Sequence, residues 1–326
     1  MSVLLEYIWL DGTTPEPQMR SKIKFTYSGI PEIWYFDGSS TNQATGESSD
    51  CVLRPVKTYN HPLYAEFRES KLVLCEVLNA DMTPHISNTR HLVQDVSDDL
   101  WFGFEQEFLL INNITGTPLG HPLLRPQGDY YCGVGANNVA GRDILTSHSN
   151  LCLEAGMNIT GINAEVLLGQ WEYQLFGKGV GAADDLWVSR YLLSLMCEKF
   201  IVKVNYSPKP IPGDWNGSGL HTNFSNRDMR EVGGEKYFLS IFEKFKERKD
   251  IHIAEYGSDN HLRLTGKHET APMNEFSWGI SNRGSSMRVP QSTSKEWTGY
   301  LEDRRPAANA DPYRIIKVIN ESLELI

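Results

Sequence analysis

Ten residues, Trp101-Phe102-Gly103-Phe104-Glu105-Gln106-Glu107-Phe108-Leu109-Leu110, have the composition of an interior β-strand, yet two glutamates interrupt them two positions apart. A strand sends successive side chains to opposite faces, so Glu105 and Glu107 share one face while Phe104, Gln106 and Phe108 take the other. Carboxylates that close repel one another and hold protons tightly unless a cation lies beside them. A lone E-x-E is more often a solvated strand face than a site. Recurrence changes the weighing. In Ile162-Asn163-Ala164-Glu165-Val166 and in Gln170-Trp171-Glu172-Tyr173-Gln174-Leu175 an acid again breaks apolar strand-like sequence, with Gln170, Glu172 and Gln174 on one face. The chain has to fold so that several strands point acids into one polar funnel.

Two further segments fit that funnel. Asn216-Gly217-Ser218-Gly219-Leu220-His221-Thr222-Asn223-Phe224-Ser225 puts a histidine after a glycine-rich turn, and Tyr300-Leu301-Glu302-Asp303-Arg304-Arg305-Pro306 gathers acids and arginines beside an aromatic. A single histidine is usually a satisfied structural one. Among many carboxylates it suits Mg2+ or Mn2+ better than zinc.

Composition excludes several alternatives. A formal charge of -10 with no basic run opposes binding to a phosphate backbone, so nucleic acid is not an expected partner. The five cysteines (Cys51, Cys75, Cys132, Cys152, Cys197) are scattered, never at C-x-x-C spacing, and read as reduced thiols. The first ten residues lack a basic flank and carry Glu6, and no apolar run reaches the ~18 residues of a membrane span. The expectation is a cytoplasmic chain with no membrane partner, and the sequons at Asn113, Asn158 and Asn216 are set aside as chance matches.

The 326 residues, 40% of them apolar, suggest about two domains. Short strands at 3–10, 33–36 and 72–77, between Gly, Pro and Ser-rich turns, suit a small sheet domain. Beyond residue 85, helices alternate with strands. Asp185 is read as the cap of a helix with Leu186, Tyr191, Leu192, Leu195 and Met196 on its apolar face. Tyr237, Phe238, Ile241, Phe242 and Phe245 form another apolar stripe. Asp311 as cap and Pro312 at the first position open a last helix carrying Ile315, Ile316, Ile319 and Leu323.

Taken together, the segments Phe36-Asp37-Gly38-Ser39-Ser40-Thr41, 101–108, 163–175, 216–225, 263–270, 282–290 and 302–306 resemble, in order and across nearly the whole chain, glutamine synthetase of the eukaryotic-like class. The resemblance implies an α+β fold: a small N-terminal β-grasp domain (1–83), then a larger catalytic domain (84–326) with a curved antiparallel sheet flanked by helices. It implies ATP-dependent ligation of ammonia to the γ-carboxylate of glutamate through γ-glutamyl phosphate. It also implies two to three Mg2+ or Mn2+ per site and a homo-oligomer of two stacked pentameric rings with active sites between subunits.

Carried over position by position, the resemblance makes Glu107, Glu165 and Glu172 ligands of the metal nearer glutamate, and Glu105, His221 and Glu302 ligands of the metal nearer the ATP phosphates. Asn216, Gly217, Arg263 and Arg304 match glutamate-binding positions, and Arg283 and Arg288 match a phosphate-facing pair. Trp101, Ser225, Arg230 and Tyr300 match positions lining the nucleotide, although a lone Trp or Tyr is more often plain packing. Asp37, Asp50 and Tyr131 match the ammonium pocket, and Glu269 matches the mobile-loop acid over the intermediate, so that the catalytic set is Asp37, Asp50, Glu269 and Arg283.

The chain departs from the family in places. It begins almost at the Glu6 to Gly12 strand, ahead of which eukaryotic members carry a helical arm. Asp129 stands where Pro is usual in Pro126-Gln127-Gly128-Asp129-Tyr130-Tyr131, after a shortened loop, Phe108 replaces a common Tyr, and residues 61–67 differ from their counterpart. Three rival readings remain open: a relative that ligates another amine, a non-catalytic protein that keeps the fold, and a guanidino kinase. All six metal positions are filled, which weighs against the second, and the Asp37 segment weighs against the third.

Overall fold

In the computed structural model, which describes residues 2–64, 69–120 and 127–326, the chain forms two units: Met1–Gln94 with Asn150–Met157, and Asp95–Ser149 with Asn158–Ile326. Residues 65–67 of the divergent segment, and Pro126, lie outside the described residues.

The first unit is a five-stranded sheet of β1 (Val3–Leu10), β2 (Met19–Thr26), β3 (Trp34–Asp37), β4 (Asp50–Asn60) and β5 (Ser70–Asn79), in the order β2-β1-β5-β4-β3. β1 and β5 run parallel and the other neighbours antiparallel. Alternate residues Leu5, Tyr7 and Trp9 of β1 pack with Leu53, Val73 and Val77 in one apolar layer, as the period of two requires. The sequence reading found β1 and parts of β3 and β5 but not β2 and β4. β2 alternates half-buried lysines with the exposed Ile23 and Phe25, and β4 carries Pro55 at a break in register between Pro55 and Lys57.

The second unit is built on β6 (Trp101–Asn112). Along the chain follow α1 (Arg142–Glu154), β7 (Ile159–Ala164), β8 (Gln170–Lys178), α2 (Gly179–Lys199), β9 (Val202–Asn205), β10 (Leu220–Ser225), α3 (Arg227–Glu231), α4 (Glu235–Glu247), α5 (Lys249–Glu255), β11 (Trp278–Ile280), β12 (Met287–Val289), α6 (Gln291–Glu296), β13 (Leu301–Asp303) and α7 (Pro312–Leu323). Among the described residues the strands form one sheet in the order β11-β12-β13-β10-β6-β8-β7, with β9 also paired to β6. Its ladders are antiparallel, as expected of a curved antiparallel sheet, except the edge pair β11–β12, which is parallel.

The two faces of β6 part as the alternation predicts. Phe102, Phe104, Gln106 and Phe108 are fully buried on one side. Gln106 is tolerated there because Arg190 of α2 donates to its Oε1 from Nε (2.8 Å) and Nη2 (2.6 Å), and also to the carbonyls of Ala308 and Ala310 (3.0 Å each). The other face carries Glu105 and Glu107.

α2 corrects one expectation. Asp185 lies inside it, because Gly179, with φ 50° and its N–H on the Leu100 carbonyl (2.9 Å), turns the chain straight out of β8 into the helix. α4 buries Phe238, Ile241, Phe242 and Phe245, and α7 starts as read, with the Asp311 carboxylate accepting from the Tyr313 N–H (2.9 Å). No described helix is long and apolar enough to cross a membrane.

Candidate active site

Register assembles the acids. Across the second sheet Glu107 stands opposite Glu172, Glu105 lies between His221 and Gln174, and Glu302 lies between Asn223 and Arg288. Strands β13, β10, β6 and β8 thus present one continuous polar face, which floors a concave cavity. All six expected metal ligands line it, together with Asn216, Gly217, Arg263, Arg304, Arg283, Arg288, Tyr131 and Glu269.

Ligand atoms of Glu105, His221 and Glu302 lie within 4.8 Å of one another, as do those of Glu107, Glu172 and His221. The first trio is the one expected. In the second, His221 stands where Glu165 was expected; Glu165 lines the same cavity but falls outside that 4.8 Å set. Oxygen donors in this majority with one imidazole match a hard divalent cation, and five carboxylates supply the charge to hold it.

The electrostatics agree. Burial, reinforced by Glu105, Glu107 and Glu165, holds the Glu172 carboxyl well above the ordinary carboxylate range. Burial and then Glu107 push Glu165 up to about 8. Burial also raises Glu107, against the pull of Arg263. His221 is held well below its usual value by burial and by the Arg304 and Arg263 guanidiniums, so its imidazole is neutral. Its Nε2 lies 3.1 Å from Arg263 Nη2, which leaves Nδ1 facing the acids, 3.5 Å from Glu105 and 4.0 Å from Glu302.

Each carboxylate is anchored. Glu107 Oε2 accepts from the Gly219 N–H (2.6 Å), and Glu302 accepts from Arg288 Nη1 (2.7 Å) and from Arg304 Nη1. Arg263 is buried, with its Nη1 and Nη2 on the carbonyls of Arg305 (3.3 Å) and Arg304 (2.9 Å). Gly219 permits that approach, since a Cβ there would stand 2.5 Å from Arg263 Nη2. Above the floor, Arg283 Nη1 reaches Glu269 Oε2 (3.3 Å), and His268 Nε2 pairs with Asp214 Oδ1 (3.0 Å). His268 and Glu269 both adopt left-handed backbone, at φ 53° and 61°.

The four nucleotide positions fall outside the lining of this cavity. Three of them cluster at the near end of β6: the Arg230 guanidinium lies 3.9 Å above the Trp101 ring, and its Nη1 donates to the Ser225 carbonyl (2.7 Å) and Oγ (3.1 Å). Strand rise puts Trp101 about 14 Å from Glu105 along β6. The Tyr300 phenol is half-exposed and its pKa is raised by burial and by Glu105 and Glu302, which places it toward the acidic floor.

Asp37 and Asp50 belong to the first unit, where they stand opposite each other on β3 and β4. Asp37 accepts from Ser39 Oγ (2.6 Å), Ser40 Oγ (2.7 Å) and the Ser39 N–H (3.0 Å). Those bonds, the Ser39 hydroxyl first, keep its pKa below the usual range and its carboxylate ionised. The sequence reading missed the amides that border the acids, Asn163 and Asn223 among them. The signal available was their spacing of two from a glutamate or histidine on the same strand.

Comparison with known proteins agrees with this picture. A family model described as glutamine synthetase, β-grasp domain, matches residues 2–80, and one described as glutamine synthetase, catalytic domain, matches residues 88–238. The glutamine synthetase of Bradyrhizobium diazoefficiens is 48% identical over 99% of this chain and 96% of its own length. That of Suillus bovinus is 48% identical over 99% and 94%, and that of Rhizobium meliloti 49% over 96% and 98%.

Proposed function

As a member of the glutamine synthetase family the chain is a glutamate–ammonia ligase, and we propose that it makes glutamine from glutamate, ammonia and ATP in two steps on the β6 face of the second unit. In the first step an oxygen of the glutamate γ-carboxylate attacks the terminal phosphorus of ATP in line, the bond to ADP breaks, and γ-glutamyl phosphate forms. Arg263, Arg304, Asn216 and Gly217 hold the substrate's carboxylates, and Arg283 and Arg288 meet the charge spread over the transferred phosphoryl group. Trp101, Ser225, Arg230 and Tyr300 hold the rest of the nucleotide. Glu105, Glu107, Glu165, Glu172, His221 and Glu302 would hold Mg2+ or Mn2+, two to three per site, which would supply Lewis-acid stabilisation of charge at the phosphates.

In the second step ammonium binds at Asp37, Asp50 and Tyr131, loses a proton to an aspartate, and attacks the activated carbonyl carbon while phosphate leaves. Glu269 covers the acyl phosphate against water and takes a proton from the new amide. Asp37 and Asp50 come from a neighbouring copy in a ring, two pentameric rings being stacked, with residues 1–83 as the β-grasp domain and 84–326 as the catalytic domain. The cytoplasm is the proposed location, supported by five scattered cysteines that never fall at C-x-x-C spacing.

The observation that carries the reading is the register that sets Glu105, Glu107, Glu172, His221 and Glu302 on one face. The test is ATP-dependent formation of γ-glutamylhydroxamate from glutamate and hydroxylamine by the unmodified protein and by Glu269→Ala and Asp37→Ala. Turnover by the first and a large loss in both variants are expected. Equal rates in all three, or none in the unmodified protein with Mg2+ or Mn2+ supplied, would overturn the assignment.

A further inference from the structure

The metal-ligand carboxylates are not all held in the same way. Glu302 is gripped by two arginines and Glu107 by a backbone N–H, but the other three are each held by a primary amide. Asn163 Nδ2 donates to Glu165 Oε1 (2.9 Å), Gln174 Nε2 to Glu172 Oε1 (2.9 Å) and Asn223 Nδ2 to Glu105 Oε1 (2.8 Å). We propose, resting on the reading just given, that Asn163, Gln174 and Asn223 are positioning residues that aim Glu165, Glu172 and Glu105 at the divalent ions, and that Gly161 and Gly103 provide the space for two of them.

An unattached carboxylate rotates about its last bond and offers a cation no fixed lone pair. Pinning one oxygen with a short N–H bond fixes the direction of the other. A neutral amide achieves this without cancelling the negative charge that binds the cation, which an arginine would do. Two of the amides come from a spacing of two along the chain, Gln174 beside Glu172 and Asn163 beside Glu165, and the third from register, because Asn223 on β10 stands opposite Gly103, two residues before Glu105 on β6.

The glycines are an independent sign. Gly161 is the register partner of Gln174 and Gly103 that of Asn223. A Cβ on Gly161 would stand 3.0 Å from Gln174 Oε1, and one on Gly103 would stand 3.3 Å from Asn223 Cβ. Neither glycine has a left-handed backbone, and a glycine inside a strand weakens it. Space for the neighbouring amide is what each of them provides.

The test uses the full-length oligomer, freed of metal and titrated with Mn2+, with free Mn2+ followed by electron paramagnetic resonance and the melting temperature of the metal-free protein measured beside it. Gln174→Leu and Asn163→Ala should weaken the site that includes Glu172 and Glu165 by about 10–100-fold, and Asn223→Ala the one that includes Glu105, each sparing the other. Gly161→Ala should reproduce the Gln174→Leu loss in part, with the metal-free melting temperature unchanged or raised. Glu172→Gln is the control. If it abolishes a Mn2+ site while the amide variants bind as the unmodified protein does, the positioning role is wrong and the site stands; if it too binds normally, the site itself is misassigned. An equal loss at both sites in every amide variant, with a lowered melting temperature, would reduce the effect to general damage of the sheet and overturn the inference.

Discussion

Glu172→Gln changes one atom in the most crowded part of the acidic floor, and its effect on stability should grow with pH and change sign with metal. Glu172 is buried, and its ligand atom lies within 4.8 Å of that of Glu107. At that separation and an effective dielectric near 20, two carboxylates repel by about 3.5 kcal/mol. Part of this is relieved by protonation, since Glu172 is held well above the ordinary range and Glu165 sits at about 8. The folded state therefore binds more protons than the unfolded chain. Stability is complete below the ordinary carboxylate pKa and is lost as pH rises through the shifted values, a window ending near pH 8 for Glu165.

A glutamine at 172 keeps the acceptor for Gln174 Nε2 but never ionises. Without metal the variant should match the parent near pH 5 and exceed it by about 1–3 kcal/mol near pH 9, a rise of roughly 2–4 °C in melting temperature per kcal/mol. Excess Mn2+ should reverse the order, because the parent alone keeps the full ligand set. Thermal unfolding across pH, with chelator and with Mn2+, measures both arms. A variant less stable than the parent at every pH, with or without metal, would show that Glu172 is a structural acceptor and refute the repulsion argument.

Further outcomes follow from other parts of the site. Arg263→Lys loses the planar fork that reaches the carbonyls of Arg304 and Arg305, and should raise the KM for glutamate by about 10–100-fold with a smaller change for ATP, read from steady-state kinetics. Trp101→Ala removes the ring under Arg230 and should raise the KM for ATP by a few-fold to about 30-fold, the equivalent of about 1–2 kcal/mol, leaving glutamate nearly unaffected. Asp303→Asn leaves the buried Arg305 guanidinium without its carboxylate and should cost about 3–5 kcal/mol in unfolding experiments, with metal present or absent.

What could be read from the chain alone divides along physical lines. The E-x-E pair on β6 was legible because acids in an apolar strand break a strong pattern, and α7 because Asp311 and Pro312 form a local start signal. β2 and β4 were not, since a half-exposed basic strand and a strand with an internal proline give weak or contrary local cues that the sheet overrides. Asp185 has a capping residue's chemistry but lies beyond the turn at Gly179, where the helix begins. Which acids meet which was fixed by register between strands far apart in the chain, as with Glu302 beside Asn223, 79 residues away, and Glu105 beside His221, 116 residues away. Residue types and their periods imply a polar face. The pairing that puts His221 with Glu107 and Glu172, and leaves Glu165 to the side, exists only in three dimensions.

The loop that carries Glu269 is under tension. Two neighbouring side-chain-bearing residues, His268 and Glu269, lie in a region of backbone space that costs about 1–2 kcal/mol apiece. Against that recoil stand the Thr270 hydroxyl, which donates to the carbonyls of Lys267 (2.8 Å) and Arg263 (3.2 Å), and the surface ties from Asp214 and Arg283, worth about 0–1 kcal/mol each. In the proposed reaction, a strained loop of this kind can close over the mixed anhydride and reopen to release product, and a bound substrate that touches Arg283 adds to the closed side.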